Sequence, residues 1–350
     1  GIRDRQARLV GSEMCIRDSA LESRLDPTFT AGREAARDQA FMNWALYFEH
    51  NFGHVSAPTG ATGATARLAW QRRLADEIDA YVDSLHADGL AALGRRIPDA
   101  GGDRPRFFAF NPLGWARTDV AEWPYSGPEP FHVVDVATQT EVPSQLVTTA
   151  GPSRIRVLAR DVPSLGYRVY EVRPGAGASF PPAASVNGSQ AQNAFYTVRL
   201  EPDGAISSLI DRTQGGRQFA ARQGGRWLNA LGGMSGNVFV EDSGPVSVTL
   251  RADSGQPVQH TTRVTLYAEV QRVDVRNEIT EGFDDVQTWS FGFDLDQPRV
   301  RHEEVGAVLD ARLDTQGGHY SHRNARYDWL SLNHFADISG ADGAGVTLSN

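Results

Sequence analysis

The segment Leu46-Tyr47-Phe48-Glu49-His50-Asn51-Phe52-Gly53 sets an acid, an imidazole and an amide side by side among aromatic residues. These are side-chain types from which metal and polar-ligand sites are built, and the step from Asn51 to Gly53 also reads as a helix stop. Other candidates are scattered further on. His302-Glu303-Glu304 begins like the HExxH zinc signature but lacks its second histidine. His319 and His322 have a spacing that could bind a metal, yet they sit in a Gly-rich stretch and read as solvated loop residues. Asp284 and Asp285 follow Gly282-Phe283 and read as a turn rather than a catalytic pair. Gly340 to Gly345 lacks the strand-then-helix setting of a dinucleotide loop and reads as a hairpin turn. Asn187-Gly188-Ser189 is a glycosylation sequon in form only. Trp123, Trp227, Trp289 and Trp329 could stack on sugar rings, but in a β sandwich such residues are first of all packing.

Composition removes several classes. The 350 residues carry 34 basic and 43 acidic side chains, a formal charge of −9, and every basic one is Arg. Without Lys there is no Schiff-base chemistry and no P-loop. An acidic chain with no basic cluster is a poor partner for nucleic acid or an anionic membrane, since both require concentrated positive charge. Neutral ligands fit better. No apolar run reaches membrane-spanning length. Arg-only usage suggests a GC-rich bacterial source.

Residues 1–19, GIRDRQARLVGSEMCIRDS, end in a run that resembles translated sequencing adaptor, so they are set aside from the fold. Cys15, the one cysteine, lies inside them. The remainder is then expected to have no disulfide, no thiolate zinc cluster and no cysteine nucleophile.

The elements that must position these side chains change along the chain. Residues 20–100 read as a small helical bundle. From Ala64 to about Arg95, Leu74, Ile78, Tyr81, Val82 and Leu85 form one stripe of a 3.6-residue helix, and a second helix from Arg33 to His50 is expected to supply Ala40, Phe41, Trp44, Leu46, Tyr47 and Phe48. Residues 105–174 contain short runs rich in branched and aromatic side chains, separated by Pro, Gly and Ser, which describe a small all-β domain. Residues 175–192 read as a linker. Residues 193–350 read as a large antiparallel β-sandwich that ends inside a strand. Its signals are a hairpin at Pro202-Asp203-Gly204 and alternating strands in which Val264, Leu266, Ala268 and Val270 share a face. The expected fold class is α+β and multidomain: a helical bundle, a small β domain and a truncated supersandwich.

Several of these segments resemble glycoside hydrolase family 38, the zinc-dependent α-mannosidases. Leu46 to Gly53 is similar to the segment of a bundle helix that carries a zinc-ligating histidine. Phe110-Asn111-Pro112-Leu113-Gly114-Trp115 is similar to the family's FNPLSW, and Val162-Pro163-Ser164-Leu165-Gly166-Tyr167 to its (V/I)PPLGY strand. Asn193 to Asp211 resembles the opening of the large sandwich, and Val273 to Asn277 a strand near its middle. The matches run in the family's order over roughly residues 35–350.

The resemblance implies a retaining glycosidase acting on terminal α-mannosides of glycans, with zinc holding vicinal sugar hydroxyls. It assigns His50 as a metal ligand, Asn51 as a sugar contact standing where many members have Asp, and Glu49 as a partner that orients the imidazole. The family's HxD zinc ligands and Asp nucleophile lie in a barrel that precedes the bundle, and no histidine precedes His50. No catalytic residue is therefore assigned, and the chain alone is expected neither to bind zinc tightly nor to hydrolyse mannosides. A carbohydrate is the expected partner. The rival reading is a non-catalytic carbohydrate-binding β-sandwich protein, because a fold does not by itself fix a function.

Overall fold

The computed structural model describes residues 21–47, 61–98, 101, 103–149, 151–233, 235–304, 306–328, 330 and 334–349. It divides into two compact units, one of residues 1–101 with 297–350 and the other of residues 102–296. The unit boundary falls inside the stretch 193–350 that reads as one sandwich.

In the first unit, α1 (Glu34–Tyr47) packs on α2 (Ala61–Arg96), and residues 21–25 add a short helical turn. The stripe on α2 does bury its centre, with Leu74 and Ile78 almost inaccessible. The helix ends where Arg95 and Arg96 complement its carbonyl end and Pro98 bars continuation. The expected inner face of α1 is only partly right. Ala40 is buried, but Phe41 and Trp44 are more than half exposed, and the inward position beside Ala40 belongs to Asn43. Asn43 donates to Glu77 of α2 at 2.6 Å and accepts from Gln39 at 2.7 Å. A hydrogen-bonded polar residue thus takes the place that hydrophobicity alone assigns to an aromatic one. Glu22, also inaccessible, is held by the Arg96 guanidinium.

The second unit starts with β1 (Arg106–Asn111), β2 (Arg117–Pro124), β3 (Phe131–Asp135), β4 (Thr140–Val142), β5 (Ser144–Val147), β6 (Arg154–Val162) and β7 (Gly166–Pro174). They form two antiparallel sheets, in the orders β1-β7-β3-β4 and β2-β6-β5. Inward-facing Phe107, Val133, Ile155, Val157, Tyr170 and Val172 make the core, and Trp123 stacks on Phe107 at 5.2 Å.

The next strands are β8 (Ser185–Asn187), β9 (Gln190–Gln192), β10 (Tyr196–Leu200), β11 (Ile206–Asp211), β12 (Arg217–Gln218), β13 (Asn237–Ser243), β14 (Ser247–Ser254), β15 (His260–Tyr267) and β16 (Val273–Ile279). They build a sheet β12-β11-β10-β9-β8 and a sheet β13-β14-β15-β16. Val264 and Leu266 do share the buried face, with Leu250 opposite Val264, but β15 stops at Tyr267 before Ala268 and Val270. The last eight residues of the expected linker are a hairpin, β8–β9, turning on Gly188 with φ 59°. The small β domain is fastened to the sandwich by polar groups. Gln145 accepts from the amides of Val246 and Ser247 at 2.9 Å each, and Arg156 donates to Ser247 Oγ at 2.6 Å.

The remaining strands, β17 (Arg299–Glu304), β18 (Ala307–Asp310), β19 (Phe335–Ser339) and β20 (Gly345–Ser349), form the sheet β18-β17-β19-β20. The described chain is thus mostly β, with antiparallel sheets following helices, in agreement with the expected class. Among the described residues no helix is long and apolar enough to cross a membrane.

Candidate functional site

Glu49, His50 and Asn51 lie outside the described residues; α1 is helical up to Tyr47, two positions before Glu49. Trp329 also lies outside them. The histidines of the β17–β20 region can be placed, and each is occupied locally.

His302 is inaccessible on β17, with Nε2 2.8 Å from Tyr320 Oη. The Tyr320 hydroxyl donates to Glu304 Oε1 at 2.8 Å, and burial together with that carboxylate pushes the phenol up to about 12. Tyr320 therefore keeps its proton and spends it on Glu304. His302 must then donate from Nε2, which leaves Nδ1 as a bare acceptor, buried and with no hydrogen-bond partner. Because β17 is a strand, Glu303 points to the face opposite His302 and Glu304. It instead meets His334 Nδ1. The zinc signature needs its residues on one helix face, so His302-Glu303-Glu304 fails by backbone as well as by its missing histidine.

His319 Nδ1 accepts the Asp310 amide at 2.8 Å. That bond puts the neutral ring's proton on Nε2 and leaves no lone pair for a metal. His322 places Nδ1 2.9 Å from Asp314 Oδ1, which also holds the Asp314 carboxyl below the usual range. Arg299 does the same to the buried Asp310. These contacts account for each imidazole separately and bring no set of ligands together. Among the described residues no group of three or more metal-ligating side chains is arranged to hold an ion. The described residues therefore do not by themselves fit a zinc centre.

Asp284 and Asp285 lie in an exposed stretch, and residues 340–345 form the β19–β20 turn, where Gly340 donates to Ala344 O at 2.8 Å and Gly343 has φ 82°. Asn187 and Gly188 belong to the β8–β9 turn. Trp123 is core packing; Trp227 and Trp289 are half-buried.

The segments that carry the family resemblance prove to be joints of the scaffold. Asn111 is buried and donates to Trp115 O at 2.7 Å and to Val162 O and Pro163 O at 3.1 Å, while accepting from the Leu113 amide. Leu165 donates to Leu113 O at 3.0 Å. The FNPLGW and VPSLGY segments are therefore locked to each other. Asn193 acts similarly at the sandwich entrance, donating to Tyr267 O at 2.7 Å and accepting from Phe195 and Tyr196. Asn277 forms a reciprocal amide pair with Asn229. Sequence reasoning missed the Glu304–Tyr320–His302 chain, since only strand pairing and the return of the 310–320 loop bring Tyr320 to it.

Among solved structures, the chain is similar to an α-mannosidase from Enterococcus faecalis V583, with a TM-score of 0.60 and 12% identity over 90% of this chain and 45% of that one. It is also similar to a glycosyl hydrolase family 38 protein from Enterococcus faecalis, with a TM-score of 0.61 and 12% identity over 97% of this chain and 52% of that one. The fold is that of the later domains of family 38 enzymes. The chain spans about half the length of these structures. No protein-family model matches the sequence, and no curated protein matches it in sequence. The family 38 fold accounts for the order of elements here, in which helices are followed by a small β domain and a large sandwich.

Proposed function

We propose that this chain is part of a glycoside hydrolase family 38 enzyme, a retaining α-mannosidase acting on terminal α-mannosides of glycans. The observation that carries the reading is the agreement of fold along 90–97% of the chain with two such proteins, together with motifs in matching order. On this reading His50 is a zinc ligand, Asn51 contacts sugar hydroxyls through its amide, and Glu49 orients the imidazole. Zinc, when bound in the whole enzyme, would supply a Lewis acid toward the sugar hydroxyls. The described residues contribute a rigid scaffold rather than a reacting group. With one ligand assigned out of a family set of several, the chain alone is inactive and binds zinc weakly.

The test is metal analysis after dialysis together with an assay on a chromogenic α-mannoside. Substoichiometric zinc and no turnover are expected; a full equivalent of zinc or sustained turnover would overturn the inactive-fragment reading. Extending the reading frame upstream separates the hydrolase from a non-catalytic binding protein. An HxD motif and a strand-ending Asp support the hydrolase, whereas a start codon near Ala20 supports the binding protein.

A further inference from the structure

The four-stranded sheet β13–β16 has one apolar face, carrying Leu250, Val264 and Leu266, and one polar face. Register aligns Phe239, Arg251, Arg263 and Arg276 in a single row across that polar face. The two central guanidiniums are fixed before any ligand arrives. Glu241, with only 5% of its side chain exposed, accepts from Arg263 Nε at 2.8 Å and from Arg251 Nη1 at 3.2 Å. Asp253 accepts from Arg251 Nε at 2.8 Å, and Glu278 accepts from Arg263 Nη1 at 3.2 Å. Arg251 also lies 5.3 Å over the Phe239 ring, which is 40% exposed at the sheet edge.

Arg276 is the odd member. It is exposed, stands directly across from Arg263 and makes no ion pair among the described residues. Like charges directly opposite on paired strands are unfavourable, so the fold gains nothing from Arg276 through its own contacts. The formal charge of the surface is nevertheless close to balanced, because Glu241, Asp253, Asp274 and Glu278 offset the three arginines. A balanced surface does not suit a polyanion, which needs concentrated positive charge, and a charged one does not suit apolar docking. It matches a neutral ligand rich in hydroxyls. Planar guanidinium donors alternate with carboxylate acceptors, and an exposed ring at one end can lie against the C–H face of a sugar. Four strands span about 14 Å, enough for a disaccharide. Side chains already immobilised lower the entropic cost of binding.

The geometry points to this polar face, from Phe239 to Arg276, as a binding surface for a neutral glycan of the α-mannoside class. The choice of mannoside rests on the proposed function; the surface itself does not. The test is calorimetric titration of the full chain with α-1,2-mannobiose, and with cellobiose and maltose as alternatives. Arg276→Gln and Phe239→Ser are measured alongside, since both residues are exposed, and thermal melting checks that each variant is folded. Saturable mannobiose binding that weakens about tenfold in either variant upholds the proposal. Binding of cellobiose or maltose in place of mannobiose, with the same sensitivity, upholds the surface and overturns the mannoside reading. No binding of any of the three at about 20 mM, or binding that neither variant alters, overturns the proposal and leaves the enzyme reading to the upstream-frame test.

Discussion

Glu171 should be the charge on which the small β domain depends most. It lies on β7 with 5% of its side chain exposed and accepts from Arg106 at 2.6 Å, Arg173 at 2.7 Å and Arg104 at 3.1 Å. Hydrogen bonds from Arg173 and Arg106 outweigh the cost of burial and hold its carboxyl down to about 2, against 4.5 for the free group. A carboxyl depressed on folding contributes stability that is complete above the unfolded value and disappears as pH falls through the folded one. A shift of about 2.5 units corresponds to a ceiling of about 3.4 kcal/mol. Arg104 is more than half exposed, so solvent screening reduces the working figure to about 2 kcal/mol. Glu171→Gln keeps the shape and removes the charge. At pH 7 it should lower stability by about 2 kcal/mol, or Tm by roughly 4–8 °C for a unit of this size. Urea unfolding followed by tryptophan fluorescence can measure it, because Trp123 stacks within the same core. The difference between wild type and variant should shrink to below about 1 kcal/mol between pH 5 and pH 2.5, as the wild-type carboxylate takes up its proton. A difference under about 0.5 kcal/mol at pH 7, or one that does not change with pH, would refute the reasoning.

Three further outcomes follow from single side chains. Tyr170 buries its hydroxyl without a partner, and burial pushes that phenol up to about 12, so Tyr170→Phe should leave stability unchanged or raise it by up to about 1 kcal/mol in thermal melting. Asn111→Ala removes the amide that ties residues 113–115 to 162–163 and should cost about 2–3 kcal/mol by denaturant titration, with faster proteolysis near Trp115. Gly204→Ala should cost at least about 1 kcal/mol: its φ of 81° disfavours a side chain, and a Cβ there would meet the buried Thr262 with Cβ atoms 3.0 Å apart. A melting curve coincident with wild type would contradict it.

What was legible in the sequence is what local periodicity controls. The α2 stripe, the short strands of residues 105–174 and the turn at Pro202-Asp203-Gly204 each follow from residues close together in the chain. The β8–β9 hairpin was hidden because its side chains are small and polar, as in a linker, although Asn187-Gly188 carries a hairpin-turn signal. The inner face of α1 was hidden for a different reason. Phe41 and Trp44 dominate any hydrophobic reading, but position on the helix, and not size, decides which residue meets Glu77. The Glu304–Tyr320–His302 chain could not be read at all, since its hydroxyl arrives from sixteen to eighteen residues away. For Glu49, His50 and Asn51 the resemblance remains the whole argument.

The division between scaffold and chemistry explains why a chain of 12% identity can hold this fold without a described metal centre. Asn111, Asn193 and Asn277 sit in the segments of family resemblance, and each spends its amide on bonds that close a loop or link two strands. Removing such an amide leaves several buried backbone or side-chain groups unpaired, a larger penalty than most surface changes carry. The histidines obey the opposite logic. His319 is tied to a backbone amide, while His302, His322 and His334 each face a hydroxyl or carboxylate of their own, so their presence requires no shared ion. A resemblance built on buried amides therefore speaks for architecture, and an assignment of chemistry must come from groups that converge. Within the described residues the groups that do converge are the arginines and carboxylates of the β13–β16 face, whose arrangement suits holding a sugar rather than cleaving one.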